Sequence, residues 1–165
     1  MNRQIKRLFL LLPLMALLLT AHAAPLPRQS GWSVIIDTDG AIDDMRALIL
    51  LFSRPEVRVE GILLSDGSLT PADALPRIRA LLHRFGRDSV PVACGPVMKG
   101  LHPAWRDFNK GISWEGATDG TCTQSAGDLF RQLLSDRGNR ITLLCLGALT
   151  NVAPIVQDTS LRKLI

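Results

Sequence analysis

Val34-Ile35-Ile36-Asp37-Thr38-Asp39-Gly40-Ala41-Ile42-Asp43-Asp44 decides how this chain is read: an aliphatic run passes directly into four carboxylates within eight positions. Ser33–Asp37 reads as a short strand that ends in acids. Four acids so close repel one another. A fold tolerates them when a cation or a hydroxyl-rich substrate sits among them.

Working outward, Met45, Leu48, Ile49 and Phe52 recur at helical spacing and predict a helix over Asp43–Ser53. Val57–Leu64 predicts a second strand and Ala72–Phe85 a second helix, with Leu75, Ile78, Leu81, Leu82 and Phe85 on one stripe. Ser89–Ala93 predicts a third strand, broken by Gly95-Pro96. Residues 96–121 read as an irregular loop whose Trp105, Phe108 and Trp114 are expected to fill core. Ser125–Leu134 then predicts a helix, Arg140–Leu146 a strand, and Leu149–Gln157 a further helix opened by a Thr150 cap. This alternation argues for an α/β fold, a mainly parallel sheet with helices on both faces. Leu161-Arg162-Lys163-Leu164-Ile165 stops where another strand is expected. The sequence is therefore expected to be the N-terminal part of a larger protein, with an uncovered sheet edge that favours homo-oligomers.

The first residues are set apart from the fold. Arg3, Lys6 and Arg7 precede a leucine-rich core over residues 8–20, and Ala21-His22-Ala23 forms a small-x-small cleavage signal. That is the pattern of a secretory signal peptide over residues 1–23, followed by a lead-in over 24–32 and the domain proper over 33–165. A periplasmic or secreted protein is expected, with no stable membrane insertion once the signal is cleaved. The formal charge of +4 owes three positive residues to that segment, so the remainder is nearly neutral and nucleic-acid binding is not indicated.

Cys94, Cys122 and Cys145 remain. Export would permit one bridge, but Cys94 and Cys145 each close a predicted strand, where cysteine serves as a small buried hydrophobe. The buried-thiol reading is preferred. No cysteine spacing suits zinc.

In open α/β sheets ligands bind beyond the carboxyl ends of the strands, which is where Asp37 and Asp39 stand. Asp43 and Asp44 open the next helix, whose N-terminus tolerates negative charge. The turn between them is expected to fold both acid pairs toward one spot, with Asp39 and Asp44 aimed at a common cation. Oxygen ligands without His or Cys favour Ca²⁺ or Mg²⁺. A bound cation acidifies its water, and a neighbouring carboxylate can take the proton. An EF-hand is excluded, because its alternating ligands, central Gly and terminal Glu are missing.

Asp37-Thr38-Asp39-Gly40-Ala41-Ile42-Asp43-Asp44-Met45-Arg46-Ala47-Leu48 resembles the opening motif of the inosine-uridine-preferring nucleoside hydrolase family. Leu146-Gly147-Ala148-Leu149-Thr150-Asn151-Val152-Ala153 is similar to a second family motif, and Val90-Pro91-Val92-Ala93-Cys94-Gly95, more weakly, to a third. The resemblance implies calcium-dependent hydrolysis of a ribonucleoside to ribose and free base by a metal-activated water. It implies Asp39, Asp44 and the Leu146 carbonyl as calcium ligands and Asp39 as the proton acceptor. Asp43 would bind the ribose, with Asp37 and Asn151 supporting the site. Ser68 stands where the family has a ribose-binding Asn, Gly40 replaces a common Pro, and Ala41 a common Gly. The family's later sugar-binding segment, a further Asp ligand and a His near the leaving base have no counterpart in these residues. A degenerate, non-catalytic nucleoside or sugar binder is the main alternative. A haloacid-dehalogenase-like phosphatase explains Asp37-Thr38-Asp39-Gly40 but neither Asp43-Asp44 nor the second motif.

Overall fold

The computed structural model describes residues 31–100, 102–118, 120–135 and 141–163. The expected signal peptide and all but the end of the lead-in lie outside the described residues. The elements are β1 (Trp32–Thr38), α1 (Ile42–Phe52), β2 (Val57–Leu64), α2 (Pro71–Arg84), β3 (Val92–Cys94), α3 (Arg106–Gly111), α4 (Ala126–Ser135), β4 (Thr142–Cys145), α5 (Val152–Gln157) and α6 (Thr159–Arg162). The strands form a parallel sheet in the order β3-β2-β1-β4.

Both faces are covered, as the aliphatic strands require. On one, Val34, Ile36, Val59, Ile62 and Leu64 meet Met45, Leu48 and Phe52 of α1 and Leu75, Ile78 and Leu82 of α2. On the other, Ile35, Leu63 and Ala93 meet Leu129, Phe130 and Leu133 of α4, Ile155 of α5 and Leu161 of α6. The parity of β1 thus assigns its neighbours to opposite layers. Helix α2 begins where its sequence dictates: Thr70 accepts from the Asp73 amide at 3.2 Å, its hydroxyl donates to the Asp73 carboxylate at 2.8 Å, and Pro71 follows.

The chain lays β1, β2 and β3 successively to one side, then returns to place β4 against the other edge of β1. That reversal makes a topological switch point beside the carboxyl end of β1, where a ligand crevice forms.

Several expectations are corrected. Cys94 and Cys122 form a disulfide, with Cα atoms 5.8 Å apart. The bridge closes the long excursion after β3, and the buried-thiol reading of Cys94 fails. Cys145 is free but exposed, because β4 has a strand neighbour on only one side among the described residues. The loop over 96–121 contains α3, and its Trp105 and Phe108 are 58% and 72% exposed rather than core. Of the three aromatic residues, only Trp114 packs against the core. Leu161 and Arg162 belong to the short helix α6. Among the described residues no helix is long and apolar enough to cross a membrane.

Candidate functional site

The end of β1 delivers Asp37 and Thr38 fully buried, with Asp39 and Asp44 nearly so. Backbone hydrogen bonds fix the neighbouring strand ends: Ser65 N–H donates to the Thr38 carbonyl at 2.9 Å, and Leu146 N–H to the Asp37 carbonyl at 2.8 Å. The loops after β1, β2 and β4 therefore meet at one place.

Within it the polar groups interlock. Thr38 Oγ1 donates to Asp44 Oδ2 at 2.6 Å, which also accepts the Asp39 amide at 3.2 Å. Asp39 Oδ1 accepts the Ala41 amide at 3.1 Å, and Asp39 Oδ2 accepts the Ser68 amide at 2.8 Å. Asn151 Nδ2 donates to Asp37 Oδ1 at 2.8 Å, tying the second motif to the first. Three glycines permit this density. A Cβ on Gly67 would lie 2.2 Å from Asp39 Oδ2, one on Gly95 would lie 1.9 Å from Asn151 Oδ1, and one on Gly147 would lie 2.5 Å from Ser65 Oγ. Gly40, at φ +69°, supplies the left-handed residue of the acidic turn.

The electrostatics are unbalanced. Asp37 Oδ2 is buried with no hydrogen-bond partner among the described residues, as are Ser65 Oγ, Thr150 Oγ1 and Asn151 Oδ1. Burial pushes the Asp37 carboxyl up to about 7; the Asn151 amide offsets this in part, and the charges of Asp39 and Asp44 add to it. Burial likewise raises Asp44 to about 6, against the Thr38 hydroxyl and with repulsion from Asp39. Three mutually repelling carboxylates with a spare buried oxygen make a donor set suited to a hard cation. Among the described residues no group of three or more His, Cys, Asp or Glu side chains is arranged to hold a metal by itself.

The structure brings Asp37, Asp39, Asp44, Leu146 and Asn151 to one place. Asp43 is not: it sits exposed on the first turn of α1. Ser68 is half-buried, and its contact with Asp39 runs through the backbone amide, while its hydroxyl accepts from Trp105 Nε1 at 3.1 Å. Thr150 does not cap α5; the residue at the cap is Asn151, without a capping side-chain bond. Asn151 also lines a cavity of about 410 Å³ with Gly95, Ser125 and Thr150. Sequence reasoning missed Asp66 and Arg106, a buried pair joined at 2.7 Å. Asp66 carries a signal like that of Asp37, an acid at the carboxyl end of a strand; Arg106, in an irregular loop, carries none.

The model of the family described as inosine-uridine preferring nucleoside hydrolase matches residues 34–164. A probable uridine nucleosidase 2 of Oryza sativa subsp. japonica is 39% identical over 136 residues, covering 77% of this chain and 40% of the relative. The pyrimidine-specific ribonucleoside hydrolase RihA of Citrobacter koseri is 31% identical, covering 76% and 42%. Among solved structures, the plant nucleoside hydrolase PpNRh1 is similar at TM-score 0.68 and 28% identity, over 81% of this chain and 45% of that one. The chain thus spans about two-fifths of the length of these curated relatives.

Proposed function

The chain belongs to the inosine-uridine preferring nucleoside hydrolase family, and from that premise we propose that it serves hydrolysis of the N-glycosidic bond of ribonucleosides, with calcium held at the acidic turn. The relatives named for uridine and pyrimidine nucleosides favour a pyrimidine nucleoside as the substrate to try first. The observation that carries the proposal is the junction of two distant motifs at the switch point, where Asn151 holds Asp37 beside Asp39 and Asp44.

Asp39, Asp44 and the Leu146 carbonyl would hold the ion, with Asp37 close by. Calcium supplies, when bound, a water acidified enough to attack a sugar carbon. Asp39 would act as the proton acceptor: the amides of Ala41 and Ser68 hold its two oxygens and leave lone pairs on each. Departure of the base gives the ribose oxocarbenium character, which the buried carboxylates stabilise. Asp43, on the exposed side of the turn, is assigned to a ribose hydroxyl. The exposed indole of Trp105, hydrogen-bonded to Ser68, offers a flat apolar face for the base. An exported protein acting on small nucleosides outside the cytoplasm fits the N-terminal sequence pattern.

The test is release of free ribose from uridine by the chain with calcium, compared with Asp39→Asn. Ribose release lost in the variant supports the reading. Uridine binding without ribose release favours the non-catalytic binder, and ribose release unchanged by Asp39→Asn removes Asp39 from the chemistry.

A further inference from the structure

We propose that Arg106 is a positioning residue: through the turn Asp66-Gly67-Ser68 it sets the carboxylate of Asp39. The proposal rests on the reading of Asp39 as calcium ligand and base.

The path is continuous. Arg106 comes from α3, about forty residues beyond the turn, and its side chain is only 7% exposed. Its Nη2 donates to Asp66 Oδ1 at 2.7 Å and to the Gly67 carbonyl at 2.5 Å, and its Nε donates to the same carbonyl at 3.2 Å. Asp66, fully buried, is held from its other oxygen by the Met98 amide at 2.7 Å. One planar fork thereby fixes two consecutive residues of the turn, a task that a point charge such as lysine performs less well. The next peptide presents the Ser68 N–H to Asp39 Oδ2 at 2.8 Å. Gly67 packs directly against the Asp39 carboxylate, since a Cβ added there would lie 2.2 Å from Asp39 Oδ2.

A second tie runs in parallel. Trp105, the residue before Arg106, donates its indole N–H to Ser68 Oγ at 3.1 Å. The disulfide between Cys94 and Cys122 closes the excursion that carries both residues. A buried ion pair adds little net stability compared with an apolar pair of similar volume, so the pair's use here is directional. It specifies where the Ser68 amide points. Groups that orient a metal ligand in this way tune affinity without touching the ion.

The experiment combines amide NMR of the folded chain with calorimetric titration of calcium ion. The variants are Arg106→Lys and Arg106→Met. The Ser68 amide proton, bonded to a carboxylate, is expected to move upfield in both. Calcium affinity is expected to fall about 10- to 100-fold while the thermal midpoint of Arg106→Lys stays close to the parent's. A purely structural role would lower the midpoint and leave the Ser68 amide and the affinity unchanged, and that result overturns the proposal. If the parent chain binds no calcium, the reading of Asp39 fails by itself. The Ser68 amide then decides the clamp alone, upheld if it moves and overturned if it does not. Should neither Arg106 variant fold, Asp66→Asn keeps the acceptor's shape and is read by the same two signals.

Discussion

Asn151 Nδ2 donates to Asp37 Oδ1 at 2.8 Å, joining two residues 114 positions apart across the edge of β1 and β4. The bond is buried, and among the described residues it is the only hydrogen bond made to either oxygen of Asp37. Asn151→Ala leaves that carboxyl without a donor. The expected loss is about 1–3 kcal/mol of unfolding free energy, the cost of stranding a buried polar group, read from urea titrations at neutral pH.

The pH dependence of the calcium-free chain follows from the same group. An unfolded aspartate gives up its proton near 3.8, whereas folded Asp37 holds it up to about 7 and folded Asp44 up to about 6. Their contribution is fully present below the unfolded value and is lost as pH rises through the folded ones. Melting in chelator is therefore expected at a higher temperature at pH 5 than at pH 8. Calcium held at the turn would bind the ionised carboxylates, so its stabilising increment is expected to be larger at pH 8. Asp73 is shifted the other way: burial raises it, but the Thr70 hydroxyl and Lys110 outweigh burial, so its contribution is lost only in more acid solution.

Gly67→Ala and Gly147→Ala should each disturb Asp39. The first places a methyl group 2.2 Å from its carboxylate and the second places one 2.6 Å from its amide nitrogen. Each is expected to destabilise by about 1–3 kcal/mol, as overpacking does, and to weaken calcium binding. At Gly111, the end of α3, a methyl group would meet no described atom within 4 Å. Gly111→Ala is the control, with melting unchanged or slightly higher.

The disulfide between Cys94 and Cys122, 28 positions apart, should stabilise the fold by about 3–4 kcal/mol on the chain-entropy account. Cys122→Ser is expected to lose most of that in chemical denaturation. Thiol labelling checks the pairing directly: one reactive cysteine, Cys145, in the folded oxidised chain, and three after reduction and unfolding.

The strands were legible because a sheet covered on both faces demands aliphatic runs, and Val34–Ile36 of β1 and Ile62–Leu64 of β2 supply them. The acidic turn was legible because four acids after such a run have few structural uses. The order β3-β2-β1-β4 was not, since strand neighbours are chosen by packing between distant residues such as Ile35, Leu63 and Leu129. Cys94 looked like a small hydrophobe because a thiol at a strand end is ambiguous until its partner's position is known. Trp105 and Phe108 looked like core because aromatic residues usually are; here a six-residue helix turns them outward while Arg106 and Asn109 of the same helix go in. Asp43 and Asp44 are adjacent and chemically identical, yet only Asp44 is buried, because successive helical residues point about 100° apart.

Calcium at the acidic turn would be held through Asp39 and Asp44. The most direct measurement is calorimetric titration of calcium ion into the parent chain, Asp39→Asn, Asp44→Asn and Asp73→Asn. Asp73 lies outside the cluster, capping α2 and pairing with Lys110 at 3.0 Å. Asp39→Asn and Asp44→Asn are expected to lose calcium binding while Asp73→Asn keeps the parent affinity. Equal affinity in all four proteins would contradict it.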